Sequence, residues 1–417
     1  MKRSIYHTIQ DILFQKNGSI VLYGPPATGK SYLLRCLSED SQMKNYIYCD
    51  LNVDVEFRTG LTASLSNGSS ISSFLTEYFN LAPEYVKDTL YFLMDGTECL
   101  KSDIKLLLQR ETPLHFALTT SRIDYFGQNM QEWTNRHSFI KVSSMTFYEF
   151  LDAVDENDTG YTEILSAHYT NRKPIPGLIE DEIMELFHDY LMVGGYPETV
   201  LCYLKNRTNL SEIRSKHEQL FATTVYRYTN FLPDGLSALR IHQLFQYIRD
   251  YAADYKGKFA PGHIRRGAQQ KEYMPELEYL FQNGILIPMY QNDTLYRFEI
   301  CDCGLLRYLA NDYHLFYTLD QQELLPEYFY QNYLCHVLFH NDKKITLMRS
   351  DSNSYSPYYD DKTCILLLKN HSEISLHKSI PFQDDLNRIF LRLLDRKIPL
   401  KNGDHNISYC YLEETQF

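Results

Sequence analysis

One short segment of this chain has residue types and a spacing that predict phosphate binding. Residues 24–31 read GPPATGKS and match the pattern G-x-x-x-x-G-K-[ST] at every specified position. Glycine is needed where backbone N–H groups wrap a phosphate, because a side chain would collide there or φ must be positive. The residues expected to contact the nucleotide are Gly24, Pro25, Pro26, Ala27, Thr28, Gly29, Lys30, Ser31 and Tyr32.

Two side chains in this segment have expected roles of their own. Lys30 should reach the β- and γ-phosphates of ATP, and the Ser31 hydroxyl should ligate Mg²⁺. The apolar run Ile20–Tyr23 predicts a buried strand before the motif, and leucines at helical spacing predict a helix after it. That context favours a phosphate-binding P-loop over a Gly-Pro turn that happens to precede Lys-Ser.

A P-loop also predicts an apolar strand that ends in an acid near the magnesium ion. The run Leu90–Asp95 fits, and Asp95 would share Mg²⁺ with Ser31, although core strands that end in a loop aspartate are common. Gly96 follows, where a glutamate usually polarises the attacking water. Glu98 is either a substitute for that glutamate or a solvated loop acid, so the sequence supports ATP binding better than hydrolysis.

Three further polar positions are candidates for catalysis. Thr120 ends the next strand, where it would touch the γ-phosphate or its water, or simply cap the strand. Arg122 and Arg136 follow, and an arginine near the site would neutralise transition-state charge, as arginine fingers do. Surface positions are the alternative for both arginines. The candidate catalytic residues are therefore Glu98, Thr120 and Arg136.

Strand and helix patterns alternate through the first 145 residues. Such alternation predicts the α/β class, with a parallel sheet covered by helices on both faces. We expect a P-loop NTPase domain over 1–145, a helical lid over 146–235 and a winged-helix-like module over 236–310. The last prediction rests on two helices followed by a strand pair, Leu286–Tyr290 and Leu295–Ile300. A small α/β tail covers 311–417, with a helix at Glu327–Phe339 and strands at Thr363–Leu368 and Ser408–Tyr411.

Composition narrows the classes of partner. The formal net charge of −12 argues against a surface built throughout for nucleic acid. A local basic stretch remains at Arg265 and Arg266, near Lys256, Lys258 and Lys271, and it predicts either DNA phosphate contacts or a module used for packing or protein contact. Nine cysteines without a Cys-x-x-Cys pair predict reduced thiols, and no run of 18 apolar residues occurs. We expect a cytoplasmic protein without a membrane partner.

With these motifs in order, the chain resembles the prokaryotic AAA-plus ATPases of archaeal type that carry a C-terminal domain of unknown function. The resemblance implies ATP and Mg²⁺ as cofactors, a helical lid, a winged-helix segment and a tail with a restriction-endonuclease-like fold, and leaves the process unassigned. Its cues, besides the P-loop, are Leu93-Met94-Asp95, Leu118-Thr119-Thr120-Ser121, Asn135-Arg136, residues 145–151, Gly194-Gly195-Tyr196-Pro197-Glu198, Asp302-Cys303-Gly304-Leu305-Leu306 and Glu327.

The chain departs from that group at three places. An Asp-Glu pair becomes Asp95-Gly96, and a Thr-Gly-Ser becomes Thr119-Thr120-Ser121. In the tail, an acidic strand followed by acid-x-Lys becomes Asp360-Asp361 and then Leu367-Leu368-Lys369, so that a leucine replaces the second acid. Since Mg²⁺ at such a site needs two or three oxygen ligands, the tail is predicted to have a nuclease-like fold without nuclease activity.

Three hypotheses follow. The first is a Mg-ATP-binding ATPase or nucleotide-dependent switch, in which ATP or ADP would order the lid, with a protein partner or a homo-oligomer. The second is a DNA-directed ATPase that uses the winged helix. The third is a scaffold that binds nucleotide without hydrolysing it.

Overall fold

A computed structural model describes most of the chain, and its residues form two compact units, Met1–Ser144 and Met145–Phe417. The described residues are 3–15, 18–82, 90–109, 115–124, 133–171, 177–252, 257–311 and 327–349, together with strands at 355–358, 363–368, 387–392 and 405–408. The predicted positions Lys256, Asp360, Asp361 and Lys369 lie outside these residues, as does most of the predicted strand Ser408–Tyr411.

The first unit is built on a five-stranded sheet in which every neighbouring pair is parallel. The strand order is β2-β3-β4-β1-β5, so β4 separates the P-loop strand from the strand that ends in Asp95. The strands are β1 (Ile20–Tyr23), β2 (Tyr46–Asp50), β3 (Tyr91–Asp95), β4 (His115–Thr120) and β5 (Ser138–Lys141). The predicted α/β class with a parallel sheet in the first unit is confirmed.

Alternate residues of these strands enter two separate cores. Ile20 and Leu22 point into one cluster with Ile9 and Leu33, whereas Val21 belongs to the other, because side chains alternate along a strand. Buried apolar runs of this kind are typical of a parallel sheet that is covered on both faces. The covering helices are α1 (Ile5–Gln10, continued by a π-helical turn at Asp11–Gln15), α2 (Lys30–Ser38), α3 (Val55–Ser66), α4 (Ile71–Tyr78) and α5 (Asp103–Gln109).

Local sequence signals fix where several helices begin. Asp54 caps α3 by accepting a hydrogen bond from the Phe57 N–H, and Ser70 does the same for α4. Thr146 and Glu149 form a reciprocal capping box at the start of the next helix, at Phe147. The helices of the second unit are α6 (Phe147–Val154), α7 (Tyr161–Asn171), α8 (Gly177–Val193), α9 (Pro197–Lys205), α10 (Leu210–Asn230), α11 (Ala238–Tyr251), α12 (Met274–Gln282), α13 (Cys303–Ala310) and α14 (Glu327–His340).

The sequence Gly194-Gly195 forms a close helix junction within the second unit. The Gly195 N–H donates to Asp302 Oδ2 at 3.0 Å, and the Met145 N–H donates to the Gly195 carbonyl at 2.6 Å. A Cβ on Gly195 would lie 2.1 Å from the Met145 carbonyl oxygen, so this position requires glycine. The Gly-Gly-Tyr-Pro and Asp302 cues of the sequence therefore belong to packing inside this unit.

The second unit also contains a mixed sheet of seven strands in the order β12-β11-β10-β9-β8-β6-β7. The predicted strand pair is present as an antiparallel hairpin, and Met289 in it pairs in parallel with Ile345. One sheet thus crosses the predicted boundary between 310 and 311, and the winged-helix and endonuclease-like assignments stay predictions. The strands are β6 (Leu286–Gln291), β7 (Thr294–Ile300), β8 (Ile345–Arg349), β9 (Tyr355–Tyr358), β10 (Thr363–Leu368), β11 (Asn387–Arg392) and β12 (His405–Ser408).

Within the described part of the chain, no helix is both long enough and apolar enough to cross a membrane. The cysteines that are free thiols in the described part of the chain are Cys36, Cys49, Cys99, Cys202, Cys301, Cys303 and Cys335.

Candidate nucleotide-binding site

The carboxyl ends of all five strands of the first unit meet at one edge of the sheet. Tyr23 pairs with Thr120 and with Lys141, and Asp50 pairs with Asp95. Ligand sites in open α/β sheets lie outside this edge, because the loops that follow the strands converge there. The P-loop follows β1 directly, so the phosphate-binding segment and Asp95 lie at the same edge.

Backbone geometry explains the two glycines of the P-loop. Gly24 has φ +146°, and a Cβ there would lie 2.3 Å from the carbonyl oxygen of Val142, just after β5. Gly29 has φ +93° and is the residue that precedes the first turn of α2. Ala27 also has a positive φ, of 63°. Successive residues of this kind curl the backbone so that N–H groups face one point, as anion binding requires.

Lys30 is almost fully buried, with 7% of its surface exposed. Its Nζ donates to the carbonyl oxygens of Gly24 at 2.9 Å and Pro25 at 2.5 Å, and the Thr28 hydroxyl also donates to Pro25, at 3.0 Å. A buried ammonium group is costly without partners, and here carbonyl oxygens of the loop supply them. The charge of Lys30 is therefore held against the loop itself, beside the positive N-terminal end of α2.

Ser31 and Asp95 meet directly at this edge. The Ser31 hydroxyl donates to Asp95 Oδ1 at 2.9 Å, and Asp95 is 4% exposed. Two neighbouring ligands of an octahedral Mg²⁺ ion lie about 2.9 Å apart when each metal–oxygen bond is about 2.05 Å. A hydroxyl and a carboxylate are also the hard oxygen donors that Mg²⁺ takes from proteins. The two predicted metal ligands therefore fit a magnesium ion, directly or through a bound water.

Two hydroxyl side chains whose contacts with Asp95 the sequence did not predict hold Asp95 in place. The Thr119 hydroxyl donates to Asp95 Oδ1 and accepts from the Gly96 N–H at 2.9 Å. The Tyr48 hydroxyl donates to Asp95 Oδ2 at 3.2 Å. Burial raises the pKa of Tyr48, and the charge of Asp95 raises it further, against the opposing effect of Arg35. Tyr48 thus stays protonated and donates to the carboxylate at neutral pH.

Glu98 lies at the same edge, on a short 3₁₀ turn that covers Thr97–Leu100. It is 7% exposed, and its Oε2 accepts a hydrogen bond from the Ser121 N–H at 3.3 Å. The interpretation of Glu98 as a solvated loop acid is therefore wrong. Its carboxylate is directed at the end of β4, the strand that carries Thr119.

The structure also explains why glycine follows Asp95. Gly96 has φ +73°, and a Cβ there would lie 2.0 Å from Asn52 Nδ2. An L-residue in the left-handed region costs roughly 1–2 kcal/mol, and the Asn52 side chain would also have to move. A glutamate at this position would therefore be strained.

Thr120 and Arg122 lie at this edge but their side chains are engaged with neighbouring groups, whereas Arg136 lies elsewhere. The Thr120 hydroxyl donates to the Arg122 carbonyl at 3.0 Å and accepts from the Arg122 N–H at 3.1 Å, so it closes its own turn. The Arg122 guanidinium is paired with Asp124 at 2.5 Å. Arg136 is exposed and precedes β5, whose first residue pairs with Ile20 at the start of β1. It therefore lies at the opposite edge of the sheet, about 13 Å away along a four-residue strand.

Tyr32, the last predicted contact, is 48% exposed in the first turn of α2. The residues that the structure brings together are thus the P-loop, Lys30, Ser31, Asp95 and Glu98. The contacts of Thr119 and Tyr48 with Asp95 could have been predicted only from the register of the strands. Both residues lie on strands, and their local sequence is equally consistent with ordinary core positions.

A third unpredicted residue, Arg3, touches the P-loop from the N-terminal segment. Its Nη1 donates to the Thr28 carbonyl at 2.8 Å and its Nη2 to the Ser143 carbonyl at 3.0 Å. No sequence pattern marks an isolated arginine 25 residues away as a neighbour of the loop.

No protein-family model and no curated protein matches this chain. Among solved structures, the chain is similar to the RuvB Holliday junction branch migration motor of Thermotoga maritima, with 14% identity, 70% of this chain and 89% of that chain covered, and a TM-score of 0.31. It is also similar to AMPPCP-bound DnaA from Aquifex aeolicus, with 13% identity, 66% of this chain and 89% of that chain covered, and a TM-score of 0.27. For the Aeropyrum pernix ORC1 protein in complex with DNA, the identity is 11%, the covered shares are 75% of this chain and 93% of that chain, and the TM-score is 0.27.

Proposed function

We propose that this protein is a Mg²⁺-dependent ATP-binding protein of the AAA-plus type that acts as an ATPase or nucleotide-driven switch. The observation that carries the proposal is the 2.9 Å contact between Ser31 Oγ and Asp95 Oδ1 beside a P-loop whose glycines have positive φ. The placement of β4 between β1 and β3 adds support, since it matches the P-loop division with an extra strand between the two motifs.

Each group of the site would act on a different part of the nucleotide. Backbone N–H groups of residues 24–31 would bind the phosphates, and Lys30 would leave its loop carbonyls to pair with the β- and γ-phosphate oxygens. Mg²⁺ held by Ser31 and Asp95 would neutralise phosphate charge when bound. Glu98 would accept a proton from, or orient, the attacking water, because its buried carboxylate lies at the edge where the γ-phosphate would project.

The test is ATP binding and steady-state hydrolysis, measured together with Mg²⁺ on the wild type, Lys30→Ala and Lys44→Ala. Lys44 is an exposed lysine of the same unit and serves as the matched control. At a hundredfold excess over its dissociation constant, ATP should stabilise the first unit by about 2.7 kcal/mol. That shift should survive in Lys44→Ala and vanish in Lys30→Ala.

The same experiment separates the ATPase from the non-hydrolysing scaffold. Turnover that Lys30→Ala abolishes would exclude the scaffold, which Gly96 favours. A stability shift without turnover would support a switch or scaffold instead. No shift in the wild type would refute ATP binding altogether.

A second candidate function, DNA binding by residues 236–310, has one observation in its favour. Arg265 and Arg266 are exposed, and beside them His263, also exposed, stacks on Tyr251 with ring centroids 4.8 Å apart. Stacked rings beside basic side chains are a feature of single-strand binding surfaces. Against it, Arg265 is already paired with Glu272 at 2.6 Å.

A gel shift with single- and double-stranded DNA at about 50 mM salt tests this candidate, because phosphate contacts are strongest at low salt. Binding that is lost in the double variant R265A/R266A and retained in Lys216→Ala would support it. Absence of any shift at that salt concentration would remove it.

A further inference from the structure

Arg3 is nearly buried, with 5% of its surface exposed, and it joins two segments of the first unit that are far apart in sequence. One arm of its guanidinium donates to the Thr28 carbonyl inside the P-loop, and the other donates to the Ser143 carbonyl after β5. Both acceptors are backbone atoms. The contact therefore acts on the path of the loop and does not depend on the side chain of Thr28.

The Thr28 carbonyl belongs to the same peptide unit as the Gly29 N–H. Every described peptide bond is trans, and in a planar trans peptide the carbonyl and the N–H point in opposite directions. When Arg3 draws the Thr28 oxygen to its own side, it turns the Gly29 N–H to the other side. Gly29 is the N-cap residue of α2, at the helix end whose N–H groups bind phosphate.

The charge of Arg3 strengthens this effect. A hydrogen bond from a guanidinium to a carbonyl polarises the peptide unit, so that its N–H becomes a better donor. An isolated Gly29 could also flip its peptide at little steric cost, because glycine accepts φ of either sign. A second bond, to Ser143, fixes the guanidinium plane and with it the direction of the first.

On this basis we infer that Arg3 is a positioning residue for phosphate binding, which holds the Gly29 N–H in the direction that the nucleotide needs. The inference rests on the proposed function. It assigns to the N-terminal segment a role in setting the affinity of the P-loop, which Arg3 exerts through the backbone without touching the nucleotide.

The helix after Arg3 has anchors of its own, so a variant at Arg3 should still fold. The Tyr6 hydroxyl donates to the Cys36 carbonyl at 3.1 Å and to Asp40 at 3.0 Å, and Gln10 also donates to Asp40. Ile9 and Leu13 are fully buried in the core cluster with Leu33. Tyr6→Phe therefore removes an anchor of α1 that has no bond to the P-loop, and it is the matched control for Arg3→Ala.

The experiment measures dissociation constants for ATP and ADP with Mg²⁺ by titration calorimetry, beside urea unfolding without nucleotide. Arg3→Ala should weaken both nucleotides about tenfold, and Tyr6→Phe should stay within twofold, even if both lose similar stability. If Arg3→Ala binds like the wild type while Lys30→Ala has lost binding, the inference is overturned and the proposed function stands. If the wild type binds neither nucleotide, the proposed function fails first.

A direct readout follows the Gly29 amide by NMR. Labelling threonine with ¹³C′ and glycine with ¹⁵N selects Thr-Gly pairs, and the chain has three, at 28–29, 59–60 and 159–160. ADP should shift the Gly29 signal strongly in the wild type and weakly in Arg3→Ala, while the other two report the fold. Should Arg3→Ala fail to fold, Arg3→Lys, which cannot span both carbonyls, takes its place. A Gly29 shift equal to that of the wild type in the folded variant would overturn the inference.

Discussion

The proposed phosphate-binding half of the site and its proposed water-positioning half differ in how their residues are placed. In the first half, Lys30 and Ser31 are adjacent in the chain, and the fold brings Asp95 to Ser31. In the second half, Glu98 reaches the edge by way of a turn, Thr120 is engaged with Arg122, and Arg136 lies at the far edge. A site made of one backbone loop is specified locally, whereas a site made of separate side chains depends on turns and strand ends.

The largest effect expected from this comparison is that of Asp95→Asn. The change keeps the shape but removes the charge that Mg²⁺ requires, so ATP affinity with Mg²⁺ should fall to the level measured in EDTA. Asp50→Asn is the control, since Asp50 ends the neighbouring strand and pairs in register with Asp95. Calorimetric titration with and without Mg²⁺ checks this. If Mg²⁺ still raises the ATP affinity of the Asp95→Asn variant, Asp95 is not a ligand of the metal.

The second effect is that of Glu98→Gln on turnover. General-base removal typically costs about 10²-fold or more in rate, while the amide keeps the acceptor for the Ser121 N–H, so ATP affinity should stay within twofold. Thr120→Val is the matched variant, and its turnover should be unchanged because its hydroxyl closes its own turn. Steady-state ATPase rates decide. The opposite ranking would return the catalytic role to Thr120.

A third, smaller effect concerns the stability of the turn at Gly96, between Asp95 and Glu98. Gly96→Ala should lower the free energy of unfolding by about 1–2 kcal/mol, because alanine must adopt φ +73° there and displace Asn52. Gly68 also has a positive φ, of 78°, but a Cβ there would meet nothing within 4 Å. The variant Gly68→Ala therefore measures the cost of the backbone conformation without the collision with a side chain. Urea unfolding compares the two. Equal losses would show that Asn52 contributes nothing.

The smallest effect is expected at Arg136. Arg136→Ala should leave ATP affinity and turnover unchanged at low protein concentration, because the side chain is exposed at the edge opposite the P-loop. Turnover measured over a range of protein concentrations extends the test. If the rate rises with concentration in the wild type and not in Arg136→Ala, this residue acts on a neighbouring copy. A loss of rate at the lowest concentration would contradict its placement.

Much of the first unit could be predicted because its signals are local. The strands β1, β3 and β5 follow from short apolar runs, and the P-loop follows from eight consecutive residues. The helix Val55–Ser66 was not predicted, because its apolar and polar residues are mixed and show only a weak helical periodicity. Its N-cap, Asp54, was the one local signal for it. In the second unit, the hairpin was predicted from its residues, but its pairing with Ile345 was not, because strand partners distant in sequence leave no local signal.

The sequence by itself determined the local backbone path of the P-loop segment and which lysine and serine it presents, because glycine spacing fixes such a path within a few residues, and it predicted phosphate binding from them. Only the tertiary structure decided which groups support that loop. Thr119 and Tyr48 meet Asp95 through parallel register across strands, and Arg3 meets Thr28 because α1 packs beside α2 in one core. The physical reason is that a hydrogen bond between distant segments depends on where the folded chain brings them, and no spacing along the sequence records that distance.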